Sequence, residues 1–232
     1  MKKCAVLWLF LAPFLWAQDK KKAIETGFLV INGVYNSELI APLDILQHSV
    51  YRKNNTYFRT FLVSPEGKPI KTAEGLTINT DYSFANCPEL DVLLIPSTMT
   101  SMDKDLKEGA YISWVRKMVD KASVVITLCD GAFPLAHTGR LDGLNATTYP
   151  GDQEALAKRY KKIKIHRDVW FVQDGKFITS VGGARSYEPA LYLAHVWFGE
   201  DYAKSLARGL VIDWDLKIIP HKTFNPLPKR PR

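Results

Sequence analysis

Residues 124–133, Val-Val-Ile-Thr-Leu-Cys-Asp-Gly-Ala-Phe, constrain this chain more tightly than any other stretch. The first five are β-branched or aliphatic without polar alternation, the pattern of a strand buried on both faces of a parallel sheet. Cys129-Asp130-Gly131 follows without a loop, and 132–138 has the character of a short helix stopped by Gly139. A strand that turns at once into a helix delivers the turn residue to the carboxyl edge of the sheet, where open α/β folds build their sites. Cys129 therefore reads as the nucleophile of an elbow, with Gly131 leaving room for the turn. Backbone N–H groups and the positive end of the helix dipole would favour its thiolate. A buried structural cysteine is the alternative, because free cysteines are often buried. Position alone leaves both open.

The rest of the chain fits the sheet that this elbow demands. Strands are predicted at 27–32, 57–63, 91–96, 123–128, 170–172 and 177–180, with two short ones between 68 and 84. Helical spacing of apolar residues predicts helices at 38–50, 109–121, 152–162 and 186–196. The alternation implies an α/β fold: a flavodoxin-like three-layer sandwich around a mostly parallel sheet, in one domain over 24–220. No internal repeat or low-complexity linker divides it. Trp114, Trp170, Trp197 and Trp214 are irregularly spaced, as expected of core residues.

The ends read differently. Residues 1–17 combine a basic start, an apolar run from Ala5 to Trp16 and a small residue, Ala17, before a polar stretch, the order of a secretory signal peptide. The run is short for a bilayer span. The expectation is an exported protein, periplasmic or secreted, without stable membrane insertion after cleavage; an uncleaved anchor is the alternative. The formal charge of +7 loses Lys2 and Lys3 with the leader, and much of the remaining excess sits in 20–22 and in a basic tail, 221–232. No basic stripe interleaved with aromatics points to nucleic acid. Cys87 and Cys129 remain. Cys87 precedes one central strand and Cys129 follows its neighbour, so roughly 20 Å of strand separates them, beyond the ~7 Å that a disulfide can bridge. His48, His137, His166, His195 and His221 show no metal-ligand spacing, and no metal site is expected. With no phosphate-cradling glycine pattern, no organic cofactor is expected either.

Four separated motifs carry a resemblance. They are 38–46 (Glu-Leu-Ile-Ala-Pro-Leu-Asp-Ile-Leu), 129–133 (Cys-Asp-Gly-Ala-Phe) with 135–136, 139–143 (Gly-Arg-Leu-Asp-Gly) with Ala146-Thr147-Thr148, and 174–180 (Asp-Gly-Lys-Phe-Ile-Thr-Ser). In this order and spacing the chain, from Gly27 to about Val211, resembles the ThiJ/PfpI superfamily, which includes the parkinsonism-associated deglycase, PfpI-type peptidases and isonitrile hydratases. The resemblance implies that Cys129 is the nucleophile and that Glu38 hydrogen-bonds it. A carboxyl held against a thiolate should be protonated and donating, since two adjacent anions repel. A solvated residue at a helix N-terminus is the alternative reading of Glu38. The resemblance also implies a homodimer, an anion pocket built from backbone near Ser97, Thr98 and Asp130, and a loop at Gly183 close to Cys129.

The chain departs from that pattern in three places. The histidine that usually follows the Thr-Thr pair is Tyr149 here, and a phenol with an ordinary pKa near ~10 cannot serve as a neutral-pH base without a large shift. Ser97-Thr98 stand where two glycines are common. Asp130 places a carboxylate beside the sulfur, opposing the thiolate. Two functions follow as expectations. The first is a cysteine-dependent hydrolase or lyase acting on a small electrophilic substrate, with Tyr149 as a positioning donor. The second is a ligand-binding or redox-sensing module that has lost its base. A transcriptional regulator is not expected, since only about twenty residues follow Val211.

Overall fold

The structure, a computed structural model, describes residues 22–52 and 55–231. The expected signal segment lies outside the described residues. Nineteen elements follow in order: β1 (Lys22–Leu29), α1 (Asn36–Gln47), β2 (Thr56–Ser64), β3 (Ile70–Lys71), β4 (Thr77–Ile78), β5 (Tyr82–Ser83), β6 (Val92–Ile95), α2 (Lys104–Lys107), α3 (Gly109–Lys121), β7 (Val124–Leu128), α4 (Ala132–His137), β8 (Asn145–Ala146), α5 (Gln153–Arg159), β9 (Lys164–Ile165), β10 (Phe171–Asp174), β11 (Phe177–Ser180), α6 (Tyr187–Phe198), α7 (Glu200–Gly209) and β12 (His221–Thr223). Eight strands form one sheet in the order β12-β10-β11-β7-β6-β1-β2-β5. All neighbours are parallel except the β10–β11 hairpin. This is the expected α/β sandwich.

The mostly apolar runs of β6 and β7, interrupted only by the buried Thr127, feed two cores at once. Side chains alternate across a strand, so Val92, Leu94, Val124 and Ile126 join the core under α1, α6 and α7, which also holds Phe28, Phe58 and Leu191. Leu93, Ile95 and Val125 join the opposite core with Val115, Phe133 and Leu135 from α3 and α4. Trp114 and Trp214 are buried, and Trp170 and Trp197 pack against the first core, as core tryptophans should.

The boundaries differ from the expectation in several places: α1 runs 36–47 instead of 38–50, three short strands rather than two lie between 68 and 84, α2, β8 and β9 were not expected, and four further differences stand out. β1 starts at Lys22, five residues before Gly27, and pairs with β2 from Lys22↔Thr56 to Leu29↔Val63. Its polar first half, Lys-Ala-Ile-Glu, hides a strand whose apolar residues alternate. α5 ends at Arg159, not 162. α7 was not expected: Gly199, at φ +95, separates it from α6, and its buried face holds only Ala203, Leu206 and Ala207. The basic tail is not solvated throughout. His221–Thr223 adds a parallel edge strand to β10, Trp197 Nε1 donates to the Pro228 carbonyl, and Arg230 lies over the Phe198 ring. The domain therefore runs past 220. Cys87 and Cys129 are both free, and β6 and β7 are parallel neighbours as the distance argument required.

Candidate active site

β7 ends at Leu128 and a single 3-10 turn, Cys129–Gly131, passes the chain into α4. Cys129 sits at φ +52, a left-handed conformation costing a non-glycine residue roughly 1–2 kcal/mol. Two glycines make this turn possible. A Cβ on Gly131 would lie 1.9 Å from the Ile95 carbonyl oxygen, and one on Gly182, at φ +76, would lie 2.4 Å from the Cβ of Cys129. From the far side, Thr148 Oγ1 lies 2.9 Å from the Cys129 carbonyl oxygen and 3.0 Å from Asp130 Oδ1, tying the turn to the strand-like 145–148 segment.

The sulfur opens into a cavity of about 530 Å³ whose walls include Tyr35, Glu38, Asp130, Tyr149, Asp152 and the Gly182-Gly183 pair. Glu38, in the first turn of α1, is only 4% exposed. Its Oε2 accepts from the Ser97 N–H (2.8 Å) and the Ser97 hydroxyl (2.7 Å), and Cys129 and the Gly183 N–H lie near enough to lower the carboxyl's pKa. Burial outweighs these contacts and raises the Glu38 pKa, the direction expected of a carboxyl that donates to sulfur.

The thiol itself departs from the expectation of a stabilised thiolate. Burial, then the Glu38 and Asp130 carboxyls, hold its pKa well above the ordinary cysteine range, against contributions from Ser97 and the Asp130 N–H. Desolvation of a charged sulfur costs more here than one short helix returns. Asp130 is pushed up to about 7 by burial first and by neighbouring Asp152 second. Burial, followed by Cys129 and Glu38, also raises Tyr35.

The other expected residues divide. Gly183 is at the cavity, its N–H turned to Glu38. Tyr149 lies on the rim, 49% exposed. Ser97 is buried behind Glu38, both its donors engaged there. Thr98 does not serve as an anion donor: its N–H is taken by Ser101 Oγ (2.8 Å), its hydroxyl bonds Asp105, and it does not line the cavity. Two titratable cavity residues escaped the sequence reading. Tyr35 sits three residues before Glu38, and Asp152 three after Tyr149, where it resembles an ordinary helix start. Spacing from the expected site residues was the signal that could have found them.

None of the five histidines reaches the cavity. His137 meets the Tyr160 hydroxyl, His166 the Asn145 side chain and His221 the Ile219 carbonyl. Among the described residues no group of three or more His, Cys, Asp or Glu side chains is arranged to hold a metal ion.

A parallel α/β sheet with a left-handed cysteine elbow and a buried glutamate at its carboxyl edge defines the class. Residues 26–194 match the DJ-1/PfpI family, and the chain belongs to it. An isonitrile hydratase of Pseudomonas putida is 26% identical over 78% of this chain and 75% of its own length. The HTH-type transcriptional regulator CdhR of Pseudomonas aeruginosa is also 26% identical, over 84% of this chain but 55% of the regulator, so the match spans about half of that protein. The crystal structure of Drosophila melanogaster DJ-1beta superposes with a TM-score of 0.72 at 21% identity, covering 83% of this chain and all of that one. That of a ThiJ/PfpI family protein from Pseudomonas syringae gives 0.74 at 19% identity, covering 90% and 83%.

Proposed function

We propose that this is an exported, cysteine-dependent hydrolase or lyase acting on a small carbonyl, isonitrile or amide, with Cys129 as nucleophile. The observation that carries the reading is the elbow itself. A cysteine kept at φ +52 by two glycines that tolerate no Cβ, with its sulfur at a cavity beside a buried carboxyl, is strain retained at one chemically competent position. The cavity, about 530 Å³, is of the size that holds small molecules. With a carbonyl or amide, Sγ bonds the carbon, the C=O π pair moves to oxygen, and oxygen takes up the proton the thiol gives away; with an isonitrile, Sγ and that proton both add to the terminal carbon. In this reading Glu38, its pKa raised by burial, carries a proton and donates to the sulfur as charge develops there. The rim phenols of Tyr35 and Tyr149 position the substrate. The isonitrile hydratase among the relatives supports the class of electrophile.

The test is turnover of methylglyoxal, an aryl isonitrile and a primary amide by the protein lacking residues 1–17. Turnover of at least one, lost in Cys129→Ser, is the expected result. No turnover of any of the three would count against the reading and in favour of a second one, a ligand-binding or redox-sensing module. That alternative is favoured by Tyr149 in the usual place of a histidine and by the similarity to a transcriptional regulator. We also expect a homodimer, giving twice the monomer mass in sedimentation at micromolar concentration. Export predicts cleavage after Ala17 and recovery outside the cytoplasm, checked by fractionation and N-terminal sequencing.

A further inference from the structure

We propose that Asp130 and Asp152 form a two-carboxyl proton relay for Cys129, doing at this site the work of an imidazole. The inference rests on the reading of Cys129 as nucleophile. A half-buried thiol must lose its proton as it attacks, and Glu38, whose pKa burial raises and whose Oε2 is taken up by Ser97, is poorly placed to accept it. Another acceptor must reach the cavity.

Two carboxyls do so from separate elements. Asp130 follows the nucleophile on the elbow, and Asp152 closes the 3-10 turn Pro150–Asp152 ahead of α5; both line the same cavity as the sulfur. Asp152 lies close enough to raise the Asp130 pKa, by charge repulsion and by hydrogen bonding between the carboxyls. Like charges this close favour a state in which one carboxyl, here Asp130, holds a proton. Thr148 fixes the inner member, with Oγ1 3.0 Å from Asp130 Oδ1 and 2.9 Å from the Cys129 carbonyl oxygen.

The surroundings keep that proton available at neutral pH. The titratable groups facing the pair are Cys129 on the elbow, Glu38 and Tyr35 at the start of α1, and Tyr149 on the 147–152 loop. The Gly182-Gly183 wall adds none, and among the described cavity residues there is no Lys, Arg or His. Burial and Asp152 leave Asp130 titrating at about 7, the range in which a group both accepts and gives protons well.

With a carbonyl substrate the step balances. The ionised carboxylate takes the thiol proton while Sγ bonds the carbon. The C=O π pair moves to oxygen, which receives the proton held by the other carboxyl. The pair ends with the single proton it began with, and no oxidant or reductant is consumed.

The experiment is the pH dependence, from 5 to 9.5, of Cys129 alkylation by iodoacetamide, followed by peptide mass spectrometry so that Cys87 is counted apart. Wild type should show an inflection near 7. Asp152→Asn should move it down by about one unit. Asp130→Asn should remove it and lower the rate at pH 7.5 at least ~10-fold, toward the ~10²–10⁴ typical of a lost positioned base. Profiles of both variants superimposable on wild type overturn the relay, even if methylglyoxal is turned over. Shifted profiles in a protein that turns over none of the trial substrates leave the relay standing and sink the proposed enzyme. Should Asp130→Asn fail to fold, Asp152→Asn, on a partly exposed turn, decides the question alone.

Discussion

The floor and the rim of the cavity are built on opposite principles. At the floor, Cys129, Glu38, Ser97, Gly131 and Gly182 interlock: Ser97 gives its N–H and hydroxyl to Glu38, the missing Cβ atoms of Gly131 and Gly182 leave room for Ile95 and Cys129, and Glu38 and Ser97 are almost wholly buried. At the rim, Tyr149 is half exposed, no hydrogen bond fixes its hydroxyl among those described, and Asp130, through burial and the neighbouring Asp152, titrates at about 7. A floor of this kind specifies where the nucleophile sits, and a rim of this kind specifies what chemistry it does. The departures from the related pattern lie mostly at the rim, so the fold can be secure while the activity differs.

The sharpest way to break this contrast is to add one methyl group to each region. Gly131→Ala places a Cβ 1.9 Å from a backbone oxygen that cannot swing away, and should destabilise the protein by ~3 kcal/mol or more, or prevent folding. Gly151→Ala meets only the ring of Tyr149 at 2.9 Å, the mobile end of a rim side chain, and should cost under ~1 kcal/mol. Urea denaturation of both variants measures the difference. Equal costs would erase the distinction between floor and rim.

The strain at the elbow gives the next largest effect. With φ at +52, Cys129→Gly should be more stable than Cys129→Ala by ~1 kcal/mol. Relief of the left-handed penalty, ~1–2 kcal/mol, exceeds the added entropy of glycine in the unfolded chain. If alanine proves the more stable of the two, the elbow is unstrained and the argument from retained strain fails.

Tyr149 offers a smaller effect. A half-exposed phenol that positions substrate contributes about one neutral hydrogen bond, ~1 kcal/mol, so Tyr149→Phe should lower kcat/KM by no more than ~5-fold. Tyr149→His restores an imidazole at neutral pH and should raise turnover by more than that. Abolition of methylglyoxal turnover in Tyr149→Phe would make the phenol the acid–base group and displace the carboxyl pair from that role.

What could be read in advance follows the same division. The central strands and the elbow were legible because burial on both faces leaves β6 and β7 apolar but for Thr127, and because a strand-turn-helix around a cysteine has few geometries. Glu38 and Gly183 were legible through the spacing of motifs. The anion role assigned to Thr98 failed since a backbone N–H carries no mark of its partner in sequence, and Ser101 had already claimed it. A lowered thiol pKa was expected from the helix alone; the desolvation and the two carboxyls that reverse it come from segments ninety residues apart, 38 and 129–130. Asp152 was hidden for the same reason, since its partner Asp130 is supplied by a different element. The docked tail was missed because its lysines and arginines suggest solvent, whereas its strand pairing and its contact with Trp197 depend on backbone.

The smallest effect tests the carboxyl pair through stability and needs no substrate. Asp130 titrates at about 7 in the folded protein, against ~3.9 in an unfolded chain. The folded state therefore binds more protons between these values, and stability from this group is complete below pH ~4 and lost as pH rises through ~7. Repulsion by Asp152 contributes to the shift, so Asp152→Asn should leave stability unchanged at pH 4.5 and raise it at pH 8. The site is open to solvent on one side, which reduces the gain to ~1 kcal/mol, a rise in Tm of ~2–4 °C for a chain of this length. Scanning calorimetry at the two pH values reads the difference directly. A Tm gain equal at both values would mean that Asp152 acts through packing, and a loss at pH 8 that its carboxylate is paired with a cation. Either result removes the like-charge contact on which the rim's chemistry is argued to depend.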